Sequence, residues 1–187
     1  VPLARALFEG GLPVIEVTMR TAAAAAAVAA IRRELAQVVV GAGTLLRAAD
    51  VATAVQAGAG FLVSPGLTPE LAAAALAAEL PYLPGVATPS EVMAARALGI
   101  CVMKFFPAEA LGGAAWLRAL APVFPGVAFC PTGGIDETRA AEYLTLANVP
   151  MVGGSWMVPR DAVAAGDWRR IRRLAERAAA IGRREAA

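Results

Sequence analysis

Val14-Ile15-Glu16-Val17-Thr18-Met19-Arg20 reads as an extended strand with two unlike faces. Successive side chains of a strand point to opposite sides, so Glu16, Thr18 and Arg20 share one face and Val17 and Met19 the other. Where helices cover the apolar face, the polar set points into the interior. An ionised carboxylate there is costly unless it is paired or hydrogen-bonded. Two readings follow: a Glu16–Arg20 ion pair that only holds the fold together, or an acid/base carboxylate beside an anion-binding arginine.

Outward from this strand the same alternation of elements repeats. Strands are expected at 13–20, 38–41, 61–64, 82–84, 102–106, 128–130 and 150–153, with helices at 22–36, 47–57, 69–80, 89–98, 112–120 and 136–146. Short β-branched runs alternating with alanine-rich helices signify an α/β fold with a parallel sheet. Three helices open on plausible caps, Thr68-Pro69, Thr88-Pro89 and Ile135-Asp136. The alanine run 22–27 is low in complexity, but alanine is the best helix former, so it reads as ordered helix. No linker or composition break divides residues 1–187, and a single domain is expected.

Seven strands fall one short of a closed (β/α)8 TIM barrel. Residues 1–9 look helical and run into the first visible strand through Gly10-Gly11, so a first strand upstream of Val1 is expected to complete the barrel. An open doubly wound sheet would need a phosphate-binding glycine fingerprint. Gly41-Ala42-Gly43-Thr44 has its first two glycines, but Leu46 stands at the third position.

Composition excludes several classes. Although 58% of residues are hydrophobic, much of that is alanine. The longest uncharged stretch, 51–69, is interrupted by Gly58, Gly60, Pro65, Gly66 and polar residues, unlike a bilayer-spanning helix. The opening Val1-Pro2-Leu3-Ala4-Arg5 lacks a signal-peptide layout. The net charge is only +2, and its basic cluster, Arg169 to Arg184, reads as the solvated face of a terminal helix, so neither membrane nor nucleic acid is an expected partner. Cys101 and Cys130 have neither metal-ligand nor redox-motif spacing, which suits a reduced cytoplasmic enzyme.

There is no histidine, which removes Ser-His and Cys-His nucleophile pairs and histidine-ligated metals; no metal or organic cofactor is expected. Lys104 is the single lysine against sixteen arginines. A bias toward arginine accounts for part of this. Arginine cannot lose its proton in a protein and so cannot form an imine, whereas lysine persists where a neutral amine is required. In Cys101-Val102-Met103-Lys104-Phe105-Phe106-Pro107-Ala108-Glu109, Lys104 shares a face with Val102 and Phe106, an apolar setting that disfavours the ammonium form. The bland alternative is a lysine snorkelling to the barrel mouth.

Two glycine segments follow the last strands, Pro131-Thr132-Gly133-Gly134-Ile135 and Val152-Gly153-Gly154-Ser155-Trp156. Barrel enzymes often hold phosphate in the loops after strands seven and eight. Glycines let backbone N–H groups approach an anion, and Ser155 can donate a hydroxyl. One Gly-Gly would mean only a turn; two in these positions point to a phosphate site. Gly41-Ala42-Gly43-Thr44 and Ser64-Pro65-Gly66 end earlier strands and could line the same mouth.

Taken together, Glu16-Val17-Thr18-Met19-Arg20-Thr21, Gly41-Ala42-Gly43-Thr44, Ser64-Pro65-Gly66, Lys104-Phe105-Phe106-Pro107-Ala108-Glu109, Pro131-Thr132-Gly133-Gly134 and Gly153-Gly154-Ser155-Trp156 resemble, in order, the 2-keto-3-deoxy-6-phosphogluconate (KDPG) aldolases. The resemblance implies a trimer of (β/α)8 barrels acting in sugar-acid breakdown, without cofactor, on a small-molecule sugar-acid phosphate and pyruvate. It implies that Lys104 forms the Schiff base and Glu16 shuttles protons. Arg20 and Thr44 would hold the pyruvate carboxylate, with Pro65 lining the substrate site and Phe106 packed beside the imine. Gly133, Gly134, Gly154 and Ser155 would take the phosphate. Thr132 looks like the version specific for the gluconate substrate, the galactonate enzyme tending to an apolar residue there. Side activity on 4-hydroxy-2-oxoglutarate is a further expectation of some relatives. A rival from another class is a non-catalytic phosphosugar-binding barrel, against which the presence of both Glu16 and Lys104 argues.

Overall fold

The computed structural model describes residues 1–183, so the end of the basic stretch, Arg184, lies outside the described residues. Helices α1 (Pro2–Glu9), α2 (Ala24–Glu34), α3 (Ala48–Gln56), α4 (Pro69–Ala77), α5 (Pro89–Ala97), α6 (Gly113–Leu120), α7 (Glu137–Leu144), α8 (Arg160–Ala165) and α9 (Trp168–Arg183) alternate with short strands. These are β1 (Val14–Thr18), β2 (Val39–Gly43), β3 (Leu62–Val63), β4 (Tyr82–Leu83), β5 (Gly85–Val86), β6 (Val102–Phe105) and β7 (Ala128–Pro131). Every strand pair is parallel, in the orders β1-β2-β3-β4 and β5-β6-β7. Parallel strands require crossovers, and the helices supply them.

The two sheets are one ribbon interrupted at Pro84. Strand β4 pairs backward with β3, β5 pairs forward with β6, and the Lys104 N–H donates to the Pro84 carbonyl at 2.9 Å. Proline has no N–H with which to continue a ladder, so pairing is handed from one neighbour to the next at that residue. The strand expected at 82–84 therefore continues to Val86. The last expected strand, 150–153, is corrected more sharply: it is an isolated parallel bridge, Thr132 to Gly153, with the Gly153 N–H donating to the Pro131 carbonyl at 2.9 Å. Pro150 again removes a donor. With that bridge the seven expected strand positions are present, all parallel. Among the described residues none pairs with the edge of β1 that faces away from β2.

The three expected caps form. Thr68 Oγ1 accepts from the Leu71 N–H, Thr88 and Glu91 cap each other reciprocally, and Asp136 Oδ1 accepts from the Arg139 N–H at 2.9 Å. Helix α2 begins two residues into the alanine run and buries Ala24, Val28 and Ile31 at helical spacing. Helix α8 was not anticipated; Pro159 leads into it and Gly166, at φ 65°, ends it. The terminal helix expected from the basic tail is α9, whose Ile171 and Ala175 pack with Ala6 and Leu7 of α1. The main core lies between sheet and helices, with Val40, Ala42, Leu62, Met103, Phe105 and Phe129 at 1% exposure or less.

Candidate active site

The strands' carboxyl ends gather the chemistry, as parallel barrels dictate. Glu16 of β1 and Lys104 of β6 approach across the interior until Lys104 Nζ and Glu16 Oε1 are 3.9 Å apart. That is an ion pair, too long for a direct hydrogen bond. The lysine side chain is 8% exposed, the glutamate 29%. The Glu16–Arg20 pair considered from sequence does not form: Glu16 turns to Lys104, while the exposed Arg20 donates from Nε to Thr18 Oγ1 at 3.2 Å.

Missing side chains make the room. A Cβ at Gly43 would overlap the Glu16 carboxylate, and one at Gly85, the register partner of Lys104, would overlap the Pro65 carbonyl. Thr44 follows Gly43 with φ 59°, a left-handed conformation that a β-branched residue adopts at a cost of about 1–3 kcal/mol. Flanking bonds hold it there, from the Met19 N–H to the Gly43 carbonyl (2.8 Å) and from the Leu45 N–H to the Val63 carbonyl (3.2 Å). The Pro65 turn is fixed from below: buried Ser64 donates from Oγ to the Gly66 carbonyl (2.6 Å) and lies 2.7 Å from the Tyr82 hydroxyl.

Lys104 Nζ sits 5.0 Å from the centroid of the Phe106 ring, a cation–π distance for the ammonium. Cys130, the register partner of Lys104 on β7, shares this surrounding. Burial pushes its thiol up to about 11, despite a hydrogen bond from Thr132 and the charge of Lys104. It stays protonated near neutrality and is no competing nucleophile.

Beyond β7, Gly133 (φ 101°) rests on Phe106, whose ring a Cβ would approach to 3.4 Å. Thr132 Oγ1 lies against Gly153, and the Trp156 ring packs on Gly154. Gly134 (φ 78°) and exposed Ser155 complete the two loops. The N–H groups of Gly134, Gly154 and Ser155 have no protein acceptor among the described residues, leaving them as donors for an anion. The structure thus brings Glu16, Lys104, Phe106, Thr132 and the glycine loops to one end of the sheet, with Thr44 and Pro65 on its rim. Arg20 is nearby in chain but forms neither a hydrogen bond nor an ion pair with Lys104 or Glu16.

Sequence reading assigned no part to Glu109, Arg139 and Tyr143, which form a network behind Gly134. Their contacts span up to 34 residues of chain, and no local pattern in one sequence marks such a pairing. A surface groove of about 420 Å³ between α1 and α9, lined by Arg5, Glu9, Trp168 and Arg172 among others, contains none of the candidate site residues. Among the described residues no group of histidine, cysteine, aspartate or glutamate is placed to hold a metal ion.

Comparison with known proteins identifies the family. The family profile of KDPG and KHG aldolases matches residues 1–174. The chain belongs to the KDPG and KHG aldolase family. It is similar to the KHG/KDPG aldolase of Escherichia coli (strain K12), 48% identical over 178 residues covering 95% of this chain and 84% of that protein. Among solved structures it resembles the KDPG aldolase of Legionella pneumophila, captured with pyruvate as a covalent carbinolamine intermediate (TM-score 0.91, 46% identity, 94% of this chain and 85% of that one). It also resembles the Zymomonas mobilis ZM4 enzyme with 3-phosphoglycerate (TM-score 0.90, 47% identity, 96% and 84%).

Proposed function

We propose that this chain is a class I aldolase that cleaves 2-keto-3-deoxy-6-phosphogluconate to pyruvate and glyceraldehyde 3-phosphate. The observation that carries the reading is the buried Lys104 amine 3.9 Å from the Glu16 carboxylate, at the end of the sheet where the two glycine loops converge.

The chemistry follows from these groups. Lys104 gives up its ammonium proton, its lone pair adds to the C2 ketone, and a proton returned to the carbinolamine hydroxyl lets it leave as water, giving an iminium ion. Glu16, through a water, takes the C4 hydroxyl proton as the C3–C4 bond breaks. The bonding electrons flow into the iminium, giving an enamine and releasing the aldehyde phosphate. The enamine is protonated at C3, and hydrolysis releases pyruvate and regenerates the amine. Phe106 shields the imine, Arg20 and Thr44 hold the carboxylate, and Pro65 borders it. Gly133, Gly134, Gly154 and Ser155 receive the phosphate through the unpaired N–H groups and the Ser155 hydroxyl. The exposed position of Arg20 requires its side chain to swing inward on binding. Thr132 selects the C4 configuration of the gluconate substrate.

The E. coli relative's name couples KHG with KDPG, and activity on 4-hydroxy-2-oxoglutarate is part of the proposal for this chain. So are a cytoplasmic setting, suited to two free cysteines, and a homotrimer. No helix among the described residues is long and apolar enough to cross a membrane.

The test is borohydride reduction with pyruvate, read by intact mass and peptide mapping. A pyruvyl adduct on Lys104 is expected. A folded sample that gives no adduct would leave a phosphate-binding barrel without imine chemistry.

A further inference from the structure

Glu109 opens a single 3-10 turn, Glu109–Leu111, just after Phe106-Pro107, and uses both carboxylate oxygens. Oε1 accepts from the Tyr143 hydroxyl at 2.6 Å, and Oε2 pairs with Arg139 Nε at 2.6 Å. Its own N–H donates to the Gly133 carbonyl at 3.2 Å. Arg139 in turn donates from Nη1 to the Gly134 carbonyl at 3.3 Å. Gly134 is packed so closely that a Cβ would come within 2.8 Å of Glu109 Cγ. The glycine pair is therefore gripped by Glu109 on one side and by the arginine that Glu109 holds on the other.

Two adjacent glycines with positive φ have more conformational freedom to lose than any other pair. Charge-assisted hydrogen bonds to both oxygens of one carboxylate remove that freedom before a ligand arrives. Tyr143 is 1% exposed, and burial, with its hydrogen bond to Glu109 second, raises its phenol well above the ordinary range, so it remains a donor across the working pH. Arg139 also neutralises a carboxylate that would otherwise stand close to an incoming dianion.

We propose that Glu109 is a positioning residue for the phosphate end of the substrate, holding Gly133–Gly134 in the conformation that presents backbone N–H groups to the phosphate. This rests on the reading of Gly133, Gly134 and Ser155 as phosphate loops. Glu109 touches no reacting atom.

The experiment compares wild type with Glu109→Gln and with Tyr143→Phe, which removes one tether and leaves the ion pair. Three quantities are read: kcat and KM for the phosphorylated substrate, inhibition by inorganic phosphate, and the phosphate-independent exchange of pyruvate methyl protons with deuterated water. The expected result for Glu109→Gln is a KM raised roughly tenfold, the worth of one charged hydrogen bond, with weaker phosphate inhibition and exchange within twofold of wild type. Tyr143→Phe moves the same quantities in the same direction by less. If both variants match wild type while phosphate inhibits wild type, the role of Glu109 is refuted and the phosphate loops stand. If phosphate does not inhibit wild type, the loop reading fails and this proposal with it. Equal losses in cleavage and exchange, or tighter phosphate binding, overturn it as well; Arg139 keeps its Asp136 Oδ2 partner at 3.3 Å in the Glu109→Gln variant.

Discussion

At residue 43 the absence of a side chain is as chemical as the presence of one at 16 or 104. Gly43 leaves the volume that the Glu16 carboxylate occupies, and Gly85 lets the Pro65 turn settle beside Lys104. Glu16 and Lys104 were legible in the sequence for physical reasons. A carboxylate on the polar face of an otherwise apolar strand needs a partner, and a lone lysine among arginines needs a cause. Their meeting across the interior was not legible, because alternation gives the face of a residue and not its opposite number. Glu16→Gln keeps the shape and removes the base. Its kcat for cleavage is expected to fall about a hundredfold or more, the scale of general acid–base catalysis, while borohydride still traps pyruvate on Lys104. Loss of trapping in that variant would instead assign Glu16 to deprotonating the amine.

Among the elements, helix starts were the most readable feature and strand ends the least. Thr68, Thr88 and Asp136 cap as expected because a cap is a local bond between residues two or three apart. The extension of β4 into β5 and the thinning of 150–153 to one bridge depend on which neighbour a prolyl residue fails to pair with, a tertiary matter. At α3 the work falls on Asp50, whose Oδ2 accepts from the Leu46 and Arg47 N–H groups while Oδ1 meets the Arg47 guanidinium. Partial burial pushes its carboxyl up, but the Leu46 and Arg47 interactions outweigh it and hold it below the usual carboxylate range. A depressed folded value means that the stabilisation is fully present above the unfolded value, near ~3.9, and is lost as pH falls through the lower folded one. Asp50→Ala is expected to cost about 1 kcal/mol by denaturant unfolding at pH 7, with the gap from wild type closing in acid below that window. A gap independent of pH would refute the assignment to the ionised carboxylate.

At the scale of the whole molecule, the fold class was readable from the rhythm of β-branched and alanine-rich segments, because a crossover helix after each strand admits little besides a parallel sheet. Assembly was not, since exposed apolar side chains carry no label for what covers them. Val14, Leu46, Met93 and Val123 are each at least 60% exposed, but they stand on separate segments and mark no single interface. The proposed homotrimer of 19.0 kDa chains should elute in light scattering at about 57 kDa, and a monomer at micromolar concentration would remove it. One feature of this chain reaches beyond catalysis. Among residues 1–187 the sole ε-amine is 7% exposed in the interior, so no lysine of this stretch stands on the surface for reagents that label, crosslink or immobilise through side-chain amines. Fixation and coupling protocols that treat lysine as a handle on the exterior would here report the occupancy of a chamber. An acylating dye found on Lys104 by peptide mapping would count vacant sites, and pyruvate would act as its blocker.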